Sequence, residues 1–117
     1  MVETETILIV DDEAPIRDAI MHSLRKFGYA FLQAETAEAA IQILNRERVN
    51  CVISDLRMPG MGGHGLVRHC GRQQPPIPII VISGMADKDD LVELMRQGVS
   101  DYVDKPWSGS ELAEAVR

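Results

Sequence analysis

Apolar residues fall along this chain in short runs separated by longer amphipathic stretches. Five runs predict strands: Ile7 to Val10, Ala30 to Ala34, Cys51 to Ser54, Pro78 to Ser83 and Ser100 to Val103. The second is the weakest of them. Runs apolar at successive positions, rather than at alternate ones, suit strands covered on both faces. Between the runs, apolar residues recur at helical spacing. Pro15 suits a first helical turn. After it Ile16, Ala19, Ile20, Leu24 and Phe27 form one stripe, and Gly28 is a C-terminal stop. Thr36 can cap a second helix with Ala37, Ala40, Ile41 and Leu44 facing inward. A third helix starts near His64 and carries Leu66, Val67 and Cys70. The spacing predicts a fourth over about Ala86 to Gln97, with Leu91, Leu94 and Met95 inward and Gly98 ending it. The fifth opens at Ser108, whose S-x-x-E spacing to Glu111 is a capping box.

Five strands alternating with five helices imply an α/β fold, a parallel sheet with helices on both faces. The 117 residues fit one domain and suffice for a real core. No repeat, low-complexity segment or linker interrupts them. The last helix meets Arg117 soon after its cap, so a longer parent chain is expected.

Charge and composition narrow the function. The net charge of −6 argues against a surface for nucleic acid or anionic membrane, which needs Lys and Arg. The acidic start MVETETILIV is unlike a signal peptide, and no apolar run reaches spanning length. A cytoplasmic location is expected. Cys51 and Cys70 lack metal spacing, and Cys51 reads as a buried thiol.

In a sheet of this type the functional edge lies at the carboxyl ends of the strands. The first strand ends in Asp11 and Asp12, the third in Asp55, the fourth in Ser83. Lys105 closely follows the fifth. Three carboxylates, a hydroxyl and an ammonium thus converge on one rim. Stacked acids repel unless a cation offsets them. An oxygen-only site without histidine or thiol suits Mg²⁺. A metal with open positions beside a carboxylate and a lysine is a phosphoryl-transfer arrangement, with a carboxylate as nucleophile. Blander readings also exist. The acids could simply favour a helix N-terminus, Lys105 could be solvated, and Tyr102 could only pack. His22, His64 and His69 show no ligand spacing and read as surface residues.

These residues resemble the receiver domain of two-component response regulators. The likeness rests on VDDE at 10 to 13, SDLRMPGMGG at 54 to 63, ISG at 82 to 84 and DYVDKPW at 101 to 107. It covers essentially all of residues 1–117. It implies a flavodoxin-like (βα)5 sandwich with strand order 2-1-3-4-5. Asp55 then resembles the phosphoacceptor and Asp12 the direct Mg²⁺ ligand, with Asp11 acting through water. Arg57 stands where the family uses a backbone carbonyl as a ligand. Ser83 resembles the hydroxyl that bonds the phosphoryl group, and Lys105 the lysine that pairs with acid and then phosphate. Tyr102 resembles the switch aromatic. The Lys105–Pro106 bond is expected to be cis, as only X-Pro bonds tolerate cheaply. One departure is Gly60, Met61, Gly62, Gly63, where the family often has G-M-D-G. The extra glycine should loosen that loop.

The resemblance implies a phosphorylation-controlled switch. A sensor histidine kinase or phosphotransfer protein would donate to Asp55. The face made by helix four, strand five and helix five would then change to control an output domain or downstream protein. Such a domain catalyses its own phosphorylation and slow dephosphorylation without being a conventional enzyme. Homodimer formation stays open. A phosphatase with an Asp nucleophile would usually carry a second acid at position 57, which is Arg57 here. A flavin or nucleotide carrier would need a glycine-rich or Ser/Thr-rich loop in place of DDEAP. A receiver used only for docking is the remaining alternative.

Overall fold

The computed structural model describes residues 4–84, 88–105, 107 and 109–116. Five strands alternate with five helices along them. The strands are β1 (Thr6–Val10), β2 (Ala30–Ala34), β3 (Cys51–Asp55), β4 (Ile79–Ser83) and β5 (Asp101–Asp104). The helices are α1 (Ala14–Leu24), α2 (Ala37–Arg46), α3 (Gly62–Gly71), α4 (Lys88–Arg96) and α5 (Gly109–Val116). The strands form one parallel sheet in the order β2-β1-β3-β4-β5. That is the expected flavodoxin-like order.

Strand side chains point alternately to opposite faces, and this divides the core in two. Leu8, Val10, Val52, Ile79 and Val81 pack under α2, α3 and α4 through Ala37, Ala40, Leu66, Val67, Cys70 and Leu94. Ile7, Ile9, Ile53, Ile80 and Ile82 pack under α1 and α5 through Ile20, Leu24 and Leu112. The three central strands are buried on both faces, as their continuous apolar runs require. The edge strands β2 and β5 are only partly covered. Cys51 and Cys70 are free and buried, and burial pushes both thiols up to about 12.

Thr36 caps α2, its hydroxyl accepting from the Ala39 N–H at 3.0 Å. Gly28 and Gly98 have φ of 82° and 91° and stop the segments before them. Three apolar expectations fail. Ala19 is exposed, because the buried stripe of α1 runs through Arg17, Ile20 and Leu24. Phe27 is also exposed, because α1 ends at Leu24 and a 3-10 turn over Arg25–Phe27 breaks the helical period. Met95 is 75% exposed. Leu94 points into the core, and the next residue lies about 100° further round the helix. The side chain of Leu91, the cap at Ser108 and the bond to Pro106 lie outside what the structure describes. Gln74–Pro75 is cis.

Candidate functional site

Register brings the polar strand ends together. Val10 pairs with Ser54, so Asp11 leaves β1 level with Asp55 at the end of β3. Asp55 pairs with Ile82, and Ser83 with Asp104, so on the far side Ser83 lies one step beyond Asp55 and Lys105 two. The carboxylates of Asp11, Asp12 and Asp55 each place an oxygen within 4.8 Å of the others. Lys105 Nζ lies 3.4 Å from Asp55 Oδ1. Four of the residues expected at the site thus share one corner.

The corner is electrostatically costly. Asp11 is only 1% exposed, and its carboxyl is pushed up to about 6. Burial is the largest cause. The Glu13 N–H opposes it, Asp55 adds to it, Lys105 opposes it and Asp12 adds to it. One ammonium therefore faces three carboxylates. A donor set of oxygens alone, carrying excess negative charge, fits a hard divalent cation. Asp12 is exposed, giving such an ion access from solvent.

Backbone contacts fix the rest of the rim. Asp11 N donates to Ala34 O at 3.1 Å, and Leu56 N donates to Ile82 O at 3.2 Å. Ser54 Oγ donates to Asp55 O at 2.9 Å. Ser83 is buried, and its carbonyl accepts from Lys105 N at 3.0 Å and from Tyr102 Oη at 3.4 Å. Tyr102 is half-buried against the α2–α3–α4 core. The Arg57 side chain runs to α4, where Nη2 meets Asp90 Oδ2 at 3.1 Å. His64 Nε2 lies 3.4 Å from the other oxygen of Asp90. The glycine-rich loop is tied down at both ends. Met61 N donates to Glu38 Oε1 at 3.3 Å, and Gly63 N donates to Leu56 O at 3.0 Å. Helix α3 starts at Gly62 with no side-chain cap.

Sequence reasoning missed Arg17, Gln33, Glu38, Gly63 and Asp90. Arg17 had a readable signal, since it precedes Ile20 and Leu24 by three and seven residues, on the buried stripe. Its guanidinium reaches Asp11 O at 2.7 Å and Gln33 Oε1 at 2.9 Å. Gln33, Glu38 and Asp90 meet their partners 16, 23 and 33 residues away along the chain, and no local pattern shows that.

Comparison with known proteins agrees with this fold. A family model described as the response regulator receiver domain matches residues 7–117. The response regulator protein FleR of Pseudomonas aeruginosa is 37% identical over 94% of this chain and 23% of its own length. The transcriptional regulatory protein FixJ of Rhizobium meliloti is 37% identical over 95% of this chain and 54% of its own. The chain thus spans about half, or less, of the curated relatives it matches. A crystal structure of a response regulator receiver protein from Pseudomonas putida superposes with a TM-score of 0.90. It is 32% identical, over 99% of this chain and 98% of that one.

Proposed function

The chain belongs to the response regulator receiver domain family of two-component signalling, and from that premise we propose that it is a Mg²⁺-dependent switch phosphorylated on Asp55. The observation that carries this reading is the corner itself, three carboxylates within 4.8 Å and an ammonium 3.4 Å from Asp55. Asp12 and Asp55 would hold the ion directly, with the Arg57 carbonyl, and Asp11 through water. When bound, Mg²⁺ supplies neutralisation of the charge on the transferring phosphoryl oxygens.

Asp55 attacks the phosphorus of a phosphohistidine on a sensor kinase or phosphotransfer protein. The new O–P bond forms as the P–N bond breaks, and the histidine nitrogen leaves with the electron pair. Lys105 neutralises Asp55 beforehand and follows the charge onto the phosphoryl group afterwards. A compact ammonium on a flexible stem suits that change of partner. Position 57, two residues past the nucleophile, holds an arginine in place of a carboxylic acid, and its side chain turns to Asp90. This favours a switch over a phosphatase.

Ser83 then turns its hydroxyl to the phosphoryl oxygens, and Tyr102 repositions beside it. The change reaches the face of α4, β5 and α5, where Val92 and Met95 are exposed apolar residues available to a partner. Phosphorylation can shift such an equilibrium only by its differential stabilisation of one state. About 2 to 3 kcal/mol gives roughly 30- to 150-fold. An output domain or downstream protein reads that face in the cytoplasm. Among the described residues, no helix is long and apolar enough to cross a membrane.

The test is intact mass after incubation with acetyl phosphate and MgCl2. Wild type should gain one phosphoryl group, and Asp55→Asn should gain none. No gain in wild type, or an equal gain in the variant, would overturn the reading.

A further inference from the structure

We propose that Arg17 is a positioning residue for the cation, acting through the Asp11–Asp12 turn and held in place by Gln33. The inference rests on the magnesium reading of the same corner but concerns residues that make no contact with the ion.

Arg17 lies in the first turns of α1, on the stripe that faces the sheet, and is only 9% exposed. Its guanidinium spans two strands. Nη1 donates to Asp11 O, just past the end of β1, at 2.7 Å, and Nε donates to Gln33 Oε1 in β2 at 2.9 Å. Both acceptors are neutral. An aliphatic side chain here could pack against the same core without the cost of taking a cation out of water. The fork therefore does something that packing alone does not require.

The acceptor it selects is informative. The Asp11 carbonyl and the Asp12 N–H belong to one rigid peptide plane. Pinning Asp11 O therefore fixes where Asp12 leaves the backbone. The turn is pinned elsewhere too, with Asp11 N on Ala34 O at 3.1 Å and Glu13 N on Asp11 Oδ1 at 2.8 Å. The Arg17 bond fixes the peptide plane that enters Asp12, and the Glu13 N–H bond fixes the plane that leaves it. A guanidinium can hold two acceptors on separate elements in fixed geometry, which an ammonium cannot. Groups behind metal ligands orient them in this way, and their loss typically weakens metal affinity about 10- to 100-fold.

The experiment is an amide NMR titration of the whole chain with MgCl2, alongside urea unfolding in EDTA. Arg17→Met keeps an unbranched apolar stem and should weaken Mg²⁺ by about 10- to 100-fold. Arg17→Lys should recover part of the affinity, by reaching the Asp11 carbonyl alone. Gln33→Leu keeps the Arg17 bond to the Asp11 carbonyl but takes the acceptor from Arg17 Nε, so it should weaken binding less than Arg17→Met and lower the urea midpoint only modestly. Wild-type affinity in Arg17→Met overturns the proposal. So does a loss of affinity accompanied by amide shifts spread through the whole sheet, which would assign Arg17 to packing. If Arg17→Met does not fold, wild-type affinity in Gln33→Leu overturns it instead. A wild type whose rim amides ignore MgCl2 overturns the magnesium reading itself, a failure visible before any substitution is made.

Discussion

The two sides of the acidic rim are held differently. On the β1 side, Asp11 is gripped at 3.1 Å through its N–H, 2.7 Å through its carbonyl and 2.8 Å through its carboxylate. On the β4–β5 side, two side-chain contacts are longer. Lys105 Nζ lies 3.4 Å from Asp55, and Tyr102 Oη lies 3.4 Å from Ser83 O. Bonds near 2.9 Å sit at the optimum, and those at 3.4 Å sit at the weak end. A phosphorylation switch needs both kinds of support. One side must present acids to a cation in fixed geometry, and the other must exchange partners when phosphate arrives. The lengths divide the rim in that way.

The largest test concerns Asp55, which stands between the two sides. Gly63 packs against the backbone of its strand. A Cβ there would lie 2.6 Å from Asp55 O and 2.8 Å from Leu56 Cα. Neither atom can yield without shifting the strand end. Gly63→Ala should cost about 2 to 3 kcal/mol in urea unfolding. A neutral result would show that the frame around Asp55 is soft.

The next test targets the tight side. Asp11 is held at about 6 against an ordinary 3.8, so the native state binds that proton more tightly than the unfolded chain. Wild-type stability should therefore rise as pH falls from about 6 towards about 4, and stay level above. Asp11→Asn removes the charge yet keeps an oxygen for the Glu13 N–H. In EDTA it should stabilise the protein by roughly 2 kcal/mol at neutral pH. The gain should vanish near pH 4, because wild-type Asp11 is then neutral itself. Urea midpoints across that range would check it. A pH-independent gain would mean the charge is not the source.

These contrasts explain what could be read from the chain. The strands were legible because their apolar runs are covered on both faces, and β2 was faintest because it lies at an edge. The corner was legible because a parallel sheet gathers strand ends, so Asp11, Asp12, Asp55 and Lys105 needed only the alternation of elements to meet. Met95 and Ala19 misled because an apolar residue one step off a buried stripe looks the same in sequence as one on it. Arg17 was hidden by its charge, although it stands at a core spacing. Gly63 was read only as a member of the loop that Gly62 should loosen. Its contact with the Asp55 backbone depends on how α3 closes over β3.

The loose side should respond more weakly. Lys105 and Asp55 keep side-chain exposures of 26% and 12%, so water screens the pair only in part. Lys105→Met should change stability by less than about 1 kcal/mol, while phosphate uptake measured by intact mass falls sharply. A large stability loss would move Lys105 to the rigid side of the comparison.

The smallest effect is expected at Tyr102→Phe. The ring stays packed on the α2–α3–α4 core, so little apolar burial is lost. The hydroxyl leaves Ser83 O, but that carbonyl still accepts from Lys105 N at 3.0 Å. No buried acceptor is stranded there, and stranding is what makes a deleted hydrogen bond expensive. A bond of 3.4 Å is also close to the limit of useful geometry. The cost in urea unfolding should be about 0.5 kcal/mol. A loss several times larger would mean that Tyr102 grips β4 as firmly as Arg17 grips the end of β1. The difference between a fixed side and a side free to switch would then disappear.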